Sequence, residues 1–430
     1  MISTSLAAAL VRRNIHYGWA VVGATFLTML VTAGCIGGPA VLLTALQKEF
    51  HWTTAEISSA LAIRVLLFGL MGPFAAALMN KFGIRRMILT SLSVIAFGLV
   101  ASLYMTSLWQ LILLWGFVLG IGTGMTAMVL GATVATRWFT KRRGLVIGFL
   151  TASSATGQLV FMPLLVRVAD TVDWRWSIGI LCMMLAVTAL AVIALMRDRP
   201  ADVGLVPYGD SGEISPAPAA IATTSITAAA FDALKAASRT RVFWVLFATF
   251  FICGVSTNGL IQPHLIPFCL DFGIPEQSTS YLLAMMGIFD FIGTVASGWL
   301  SDRYDNRWLL FWYYGLRGLS LLYLPASDFT FYGLSIFAMF YGLDWIATVP
   351  PTVKLSAERF GRERANLVFG WVFAGHQIGA ACATYGAGWS RTELQTYLPA
   401  FFVAGGLCLV AAGLVLTVKR QAKPVQVAAA

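Results

Sequence analysis

Apolar runs of about membrane-crossing length alternate with short polar segments along the whole chain, and most of those segments carry Lys or Arg. A helix needs about 20 predominantly apolar residues to cross a bilayer. On that measure the pattern predicts twelve spans, near 17–46, 54–79, 86–105, 108–136, 144–168, 176–196, 242–270, 279–301, 307–326, 330–355, 364–389 and 398–418. Six spans come first. A polar connection follows, containing Arg197-Asp198-Arg199-Pro200 and Ser215-Pro216-Ala217-Pro218, and then six more spans. The predicted organisation is an N-terminal six-helix bundle at 1–196, a cytoplasmic linker at 197–241, and a C-terminal bundle with its tail at 242–430. Within the linker, Phe231 to Ala237 is predicted as a short surface helix. Gln262-Pro263-His264 predicts a local break in span seven.

Composition excludes a water-soluble domain. The 430 residues are 58% hydrophobic and 11% charged, where soluble domains carry about 25% charged residues. The net charge of +10 is explained by its distribution rather than by nucleic acid. With the N-terminus placed in the cytoplasm, 23 Lys and Arg fall in cytoplasmic segments. Four lie opposite (Lys48, Arg167, Arg175, Arg391), and Arg64 and Arg317 lie within spans. That bias is the positive-inside signature and predicts both termini in the cytoplasm of an inner, plasma-membrane protein. The six cysteines sit in or beside spans with no Cys-x-x-Cys pair, so neither a metal site nor a disulfide framework is indicated.

Two charged patches, each closing an apolar run, repeat at a fixed interval. Ala76-Ala77-Leu78-Met79-Asn80-Lys81-Phe82-Gly83-Ile84-Arg85-Arg86 is matched 222 positions later, from Asn80 to Asp302, by Gly298-Trp299-Leu300-Ser301-Asp302-Arg303-Tyr304-Asp305-Asn306-Arg307-Trp308. Trp138-Phe139-Thr140-Lys141-Arg142-Arg143-Gly144-Leu145 is likewise echoed by Arg359-Phe360-Gly361-Arg362-Glu363-Arg364-Ala365-Asn366. An internal repeat of half the chain around apolar spans is a transporter signature.

On these residues the chain resembles the major facilitator superfamily across nearly its full length. The resemblance implies an all-α membrane protein of twelve transmembrane helices in two pseudo-symmetric six-helix bundles. The family's loop motif is Gly-x-x-x-Asp-(Arg/Lys)-x-Gly-x-(Arg/Lys)-(Arg/Lys). Asn80, Lys81, Gly83, Arg85 and Arg86 match it in position, but Asn80 replaces the acid and Ala76 the first glycine. The second copy keeps Gly298, Asp302 and Arg303 and has Asp305 where glycine is usual. These eight residues are the expected gating motif. Trp138-Phe139-x-Lys141-Arg142-Arg143-x-Leu145-x-x-Gly148, Tyr17-Gly18-Trp19 and Arg241-Val242-Phe243-Trp244 are similar to the monocarboxylate-porter and oxalate:formate-antiporter branch.

An ionisable side chain inside a span costs roughly 2.5–3.5 kcal/mol on insertion scales, so each asks for a reason. Arg64, Asp290, Arg317, Asp344 and His376 stand out. The oxalate antiporter, which resembles Gly370-Trp371-Val372-Phe373-Ala374-Gly375-His376, places a substrate-binding lysine where His376 stands. His376 is therefore an expected substrate residue, or a proton carrier, since imidazole titrates near neutrality. The plainer alternative is a neutral histidine bonded between helices. Asp290 resembles the aspartate of the monocarboxylate porters, which is followed one turn later by an arginine, and the resemblance implies proton coupling there. Thr294 replaces that arginine here. A carboxyl without its cation in apolar surroundings suits a proton carrier; a pair with Arg317 is the alternative. Arg64 is the best replacement for the missing cation, because guanidinium forks onto carboxylates; a pair with Glu56 or a snorkel to the interface is its alternative. Arg317 and Asp344 are expected as a fixed helix–helix pair. Asn258 and Gln262, with His264, are polar positions on a span that lines the cavity in the resembling family. Asn258 and Gln262 join the expected substrate site. Gly120-Ile121-Gly122-Thr123-Gly124 follows no strand and reads as close helix packing, not as a nucleotide loop.

The expected function is secondary active transport of a small, monocarboxylate-like organic anion, coupled to protons, by rocking of two halves about a central site. A proton-driven exporter of drug-like or siderophore-like compounds is the alternative, although span five lacks the Gly-Pro pair frequent in that branch. A membrane receptor or enzyme is the reading from another class; no His-Glu-x-x-His or Gly-x-Ser-x-Gly supports it. Expected partners are the small-molecule substrate, protons and the lipid bilayer, with no nucleic acid, cofactor or metal, and the chain is expected to act as a monomer.

Overall fold

The computed structural model describes residues 12, 15–52, 54–210 and 225–419. The Ser-Pro-Ala-Pro stretch of the connection and the basic residues of both ends, apart from Arg12 and Lys419, lie outside the described residues. Among the described residues the chain is helical, and one isolated bridge, Phe139 to Tyr208, stands in place of any sheet.

The spans are Gly18–Val41 (one), Thr54–Phe82 (two), Ile84–Ser102 (three), Leu108–Trp138 (four), Arg143–Thr171 (five), Trp174–Leu195 (six), Arg241–Asp271 (seven), Glu276–Ser301 (eight), Asn306–Tyr323 (nine), Phe331–Phe360 (ten), Arg362–Glu393 (eleven) and Leu398–Leu416 (twelve). Among the described residues, ten of these are long and apolar enough to cross a membrane; five and nine are the two outside that measure. Short polar side chains start several of them. Asp173 accepts from the Arg175 amide at 2.7 Å, Asp305 from Arg307 at 3.0 Å and Thr330 from Gly333 at 3.1 Å. Each satisfies an amide that the first helical turn leaves without an acceptor.

Three spans are not uniform rods. Span four has a π-helical stretch at Ile112–Val118 and a break at Thr126 and Ala127; span seven has a π-helical stretch at Val255–Ile261, just before the Gln262-Pro263-His264 signal. Span ten was expected as one helix. It divides into Phe331–Asp344 and Val349–Phe360, with turns at 345–348. Pro350 and Pro351 are the cause: neither has an amide to donate back, so carbonyls one turn earlier lose their helical partners.

The two halves use one packing scheme. Span one packs on five, two on four and three on six; correspondingly seven packs on eleven, eight on ten and nine on twelve. The halves meet chiefly along two pairs, two with eleven and five with eight, with ten touching five and eleven touching four beside them. Glycines permit both meetings. A Cβ on Gly370 would lie 2.6 Å from the Pro73 nitrogen, and one on Gly144 would lie 2.4 Å from the Gly298 carbonyl. Backbones that approach this closely gain packing contacts that larger residues prevent.

The described ends of the connection are folded. Its first part lies on the loop after span four, where the Thr140 amide donates to Tyr208 at 2.9 Å and the Tyr208 amide to Trp138 at 2.8 Å. Its second part is a helix, Ile226–Ala237, longer than the segment expected from sequence, which lies across spans two and eleven. Phe231 packs there between Phe74 of span two and Trp371 of span eleven, and the Trp371 indole donates to the Ala230 carbonyl at 2.9 Å.

Candidate functional site

The buried ionisable groups gather chiefly in the C-terminal half. Arg317 on span nine reaches across to the break in span ten. Its Nε donates to Asp344 Oδ2 at 2.6 Å, and its Nη2 donates to the carbonyls of Asp344 and of Trp345, the latter at 3.1 Å. Its Nη1 meets Cys253 Sγ at 3.0 Å and Ser256 Oγ at 3.4 Å on span seven. The Arg317 side chain is fully buried, and that of Asp344 is 11% exposed. The helix–helix pair expected from sequence is therefore present. Its larger role was not legible: Arg317 also satisfies two carbonyls that the break in span ten leaves open.

Asp290 on span eight serves the same break from the other side. Its Oδ1 accepts from the Thr294 hydroxyl at 2.8 Å and from the Ile346 amide at 2.9 Å. Thr294, standing where the resembling porters have arginine, thus supplies a neutral donor. Asp290 Oδ2 and Asp344 Oδ1 are buried with no hydrogen-bond partner among the described residues. Asp290 does not take Arg317 as its ion-pair partner, because Arg317 gives Asp344 its Nε. Ser297 Oγ, one turn beyond Thr294, donates to the Ala347 carbonyl at 2.5 Å.

His376 on span eleven lies beside this group. Its ring stands 5.0 Å from Phe250 and 6.1 Å from Phe373, it faces Cys253, and its Nδ1 has no partner among the described residues. Cys253 Sγ also lies 3.3 Å from Thr348 Oγ1. Cys253, Thr348 and the break itself carry no motif, although the Pro350-Pro351 pair signals the break.

Arg64 is buried in the N-terminal half, within electrostatic reach of Cys35, and its Nη1 has no partner among the described residues. Spans two and eleven bring its neighbourhood to that of His376: Phe68 and Phe373 meet with ring centroids 5.6 Å apart, and Gly69 abuts Gln377. The structure does not bring Arg64 onto Asp290 or Arg317. Asn258 is half-buried in the π-helical stretch of span seven, and Gln262 is exposed. His264 Nε2 lies 3.1 Å from the Thr384 carbonyl, tying the far end of span seven to span eleven.

The two copies of the expected gating motif lie where the halves meet. Asp302 accepts from the amides of Gly144 and Leu145, at 2.8 and 3.0 Å, and pairs with Lys354 at 3.1 Å. An acid from span eight thus caps span five of the other half, where amides and helix dipole favour negative charge. Asn80 does the corresponding work without charge, accepting from Arg137 at 2.7 Å and from Asn366 at 3.0 Å. Gly83 adopts a φ of 86°, and Asp198 fills the space beside it, accepting from the Arg85 amide at 2.8 Å. Arg85 donates to the Ile193 carbonyl at 2.8 Å, and Arg303 stacks on Trp299 at 3.8 Å. Lys81 lies 5.6 Å over the Phe82 ring, Arg86 is exposed, and Gly298 forms the close approach to Gly144.

Comparison with known proteins agrees with this architecture. The sequence profile of the Major Facilitator Superfamily matches residues 23–275 and again 256–430. Monocarboxylate transporter 13 of Bos taurus is 27% identical over 407 residues, covering 93% of this chain and 89% of its own. Monocarboxylate transporter 12-B of Danio rerio is 24% identical, covering 93% and 86%. An uncharacterized MFS-type transporter of Bacillus subtilis, YcxA, is 22% identical, covering 86% of each. Among solved structures, the proton:xylose symporter XylE bound to 6-bromo-6-deoxy-D-glucose superposes with a TM-score of 0.68 at 13% identity, covering 93% of this chain and 95% of its own. That likeness concerns the fold.

Proposed function

The chain belongs to the major facilitator superfamily, a family of multi-pass membrane transporters, and from that premise we propose that it moves a small monocarboxylate-like anion together with protons. The observation that carries the substrate class is Arg64: a buried guanidinium whose Nη1 has no partner among the described residues. A buried cation without its acid is a costly arrangement that an anionic substrate relieves. His376 on the adjoining span, whose Nδ1 has no partner among the described residues, is the second substrate contact, and Asn258 and Gln262 extend the site along span seven. Asp290, whose Oδ2 lacks a donor among the described residues, is the proton carrier. Relatives named as monocarboxylate transporters support the same class.

The halves at 1–196 and 242–430, joined by 197–241, rock about this site as one monomer in the inner membrane, with both termini in the cytoplasm. The Asp302 and Asn80 contacts are formed when the cytoplasmic side is closed and part when it opens. The test is uptake of a labelled carboxylate panel into proteoliposomes, with and without an imposed pH gradient. Gradient-driven uptake of at least one carboxylate is expected, with loss of that uptake in Arg64→Ala and His376→Ala. No uptake of any carboxylate overturns the substrate class; normal uptake by both variants overturns the site.

A further inference from the structure

Asp290, Arg317 and Asp344 converge on one place, the interruption of span ten at 345–348. Arg317 holds the carbonyls of Asp344 and Trp345, and Asp290 holds the Ile346 amide. Three consecutive residues of a broken, membrane-embedded helix thus have a backbone group satisfied by ionisable side chains of spans eight and nine. In a bilayer such groups find no water, so the side chains that hold them decide the geometry of the break.

The charges do not balance pairwise. Two carboxyls, Asp290 and Asp344, lie within electrostatic reach of each other and of one guanidinium. Each has one buried oxygen without a partner among the described residues. Two carboxylates sharing a dry site do not both stay ionised when one cation serves them. The neutral composition is one guanidinium, one carboxylate and one carboxylic acid. The other ionisable groups facing the cluster are Cys253, Tyr313, Tyr314, Tyr341, Cys408 and, beyond Cys253, His376. Of these only His376 becomes a cation.

We propose that Asp290, Arg317 and Asp344 act as one proton-accepting unit that works the break of span ten as a hinge, so that Asp344 shares the coupling role with Asp290. This rests on the proton coupling proposed above and extends it to a moving part. With the proton bound, Arg317 stays on Asp344 and on the two carbonyls, as the structure has it. Loss of the proton leaves a second negative charge with an open oxygen facing the same guanidinium. All the donors of Arg317 are engaged, so turning toward Asp290 releases the carbonyls of residues 344 and 345, and the break rearranges. Proton occupancy is thereby linked to the shape of span ten.

The hinge is measurable without any substrate. Hydrogen exchange of the segment around 344–348, in the full chain in nanodiscs, is followed against pH and corrected for the intrinsic exchange rate at each pH. Opening linked to loss of one proton raises exchange about tenfold per pH unit through the titration. That dependence is expected in the native protein and in His376→Gln, and expected to vanish in Asp344→Asn and Asp290→Asn. Should Asp344→Asn not fold, the charge-balanced Arg317→Gln/Asp344→Asn variant keeps the test open, because removing both partners leaves no unpaired buried guanidinium. Exchange that does not depend on pH in the native protein overturns the proposal, as does an unchanged dependence in the asparagine variants. Failure of gradient-driven uptake with a pH-dependent hinge intact removes only the coupling to transport.

Discussion

The side-chain amide of Asn366 on span eleven donates to Asn80 Oδ1 at 3.0 Å, across the boundary between the halves. Arg137 donates to the same oxygen at 2.7 Å. A neutral residue therefore occupies a position built for an acid, with a guanidinium already aimed at it. Asn80→Asp turns the Arg137 contact into an ion pair and the Asn366 contact into a charge-assisted bond, worth about 1 kcal/mol more than a neutral one. Since the Asn366 contact ties the two halves together, the variant is expected to melt higher and to exchange substrate several-fold more slowly. Thermal midpoints in detergent and exchange rates in proteoliposomes check both.

Asp302 is the charged counterpart, and its loss acts in the opposite direction. Asp302→Ala leaves the Gly144 and Leu145 amides without their acceptor and Lys354 without its partner. Each orphaned group costs about 1–3 kcal/mol when buried, less where water reaches it. The contact between spans five and eight is expected to open more readily, read as faster hydrogen exchange at the start of span five.

Glycine contacts predict a steric contrast. Gly298→Ala puts a methyl 2.3 Å from the Gly144 carbonyl, a backbone atom that has no rotamer to yield. Forced separation of spans five and eight costs about 1–3 kcal/mol and loosens the interface. Gly386→Ala meets nothing within 4 Å and is expected to be neutral. Melting temperatures of the two variants in the same detergent decide it.

At the opposite end, Glu49 accepts from Arg175 at 2.5 Å and from the Trp174 indole at 2.6 Å. The hydrogen bond from Arg175 holds the Glu49 carboxyl below the usual carboxylate range. A depressed acid stabilises the fold above its unfolded pKa, and the contribution disappears as pH falls through its folded value. Glu49→Gln is therefore expected to melt slightly lower than the native protein at neutral pH, with the difference closing in acid. The pair is exposed, so the gap is small. Melting curves from pH 7 down to about 3 measure it.

Much of this protein is readable along the chain because the bilayer constrains it locally. A span must be long and apolar, its loops must carry basic residues on one side, and a duplicated half must repeat its landmarks. The spans, the two halves and the motif around Asn80 and Asp302 follow from those rules. The membrane-embedded acids and bases also announce themselves one at a time, because each is costly where it stands.

Partnership is another matter. Arg317 could be paired with Asp290 or with Asp344 on sequence grounds, and the choice came from which side chain the crossing of spans eight, nine and ten brings within 2.6 Å. Asp302 is expected as a gating-motif residue and does reach Lys354 and the other half, but it caps a helix there through backbone amides that no residue pattern marks. The division of span ten had a local cause in Pro350 and Pro351, yet its consequence, carbonyls and an amide held by Arg317 and Asp290, exists only once distant spans are packed together. Hydropathy and charge are properties of single residues and survive in a linear string. Hydrogen-bond partners depend on separations of a few tenths of an ångström between residues far apart in sequence, and only the folded bundle sets those.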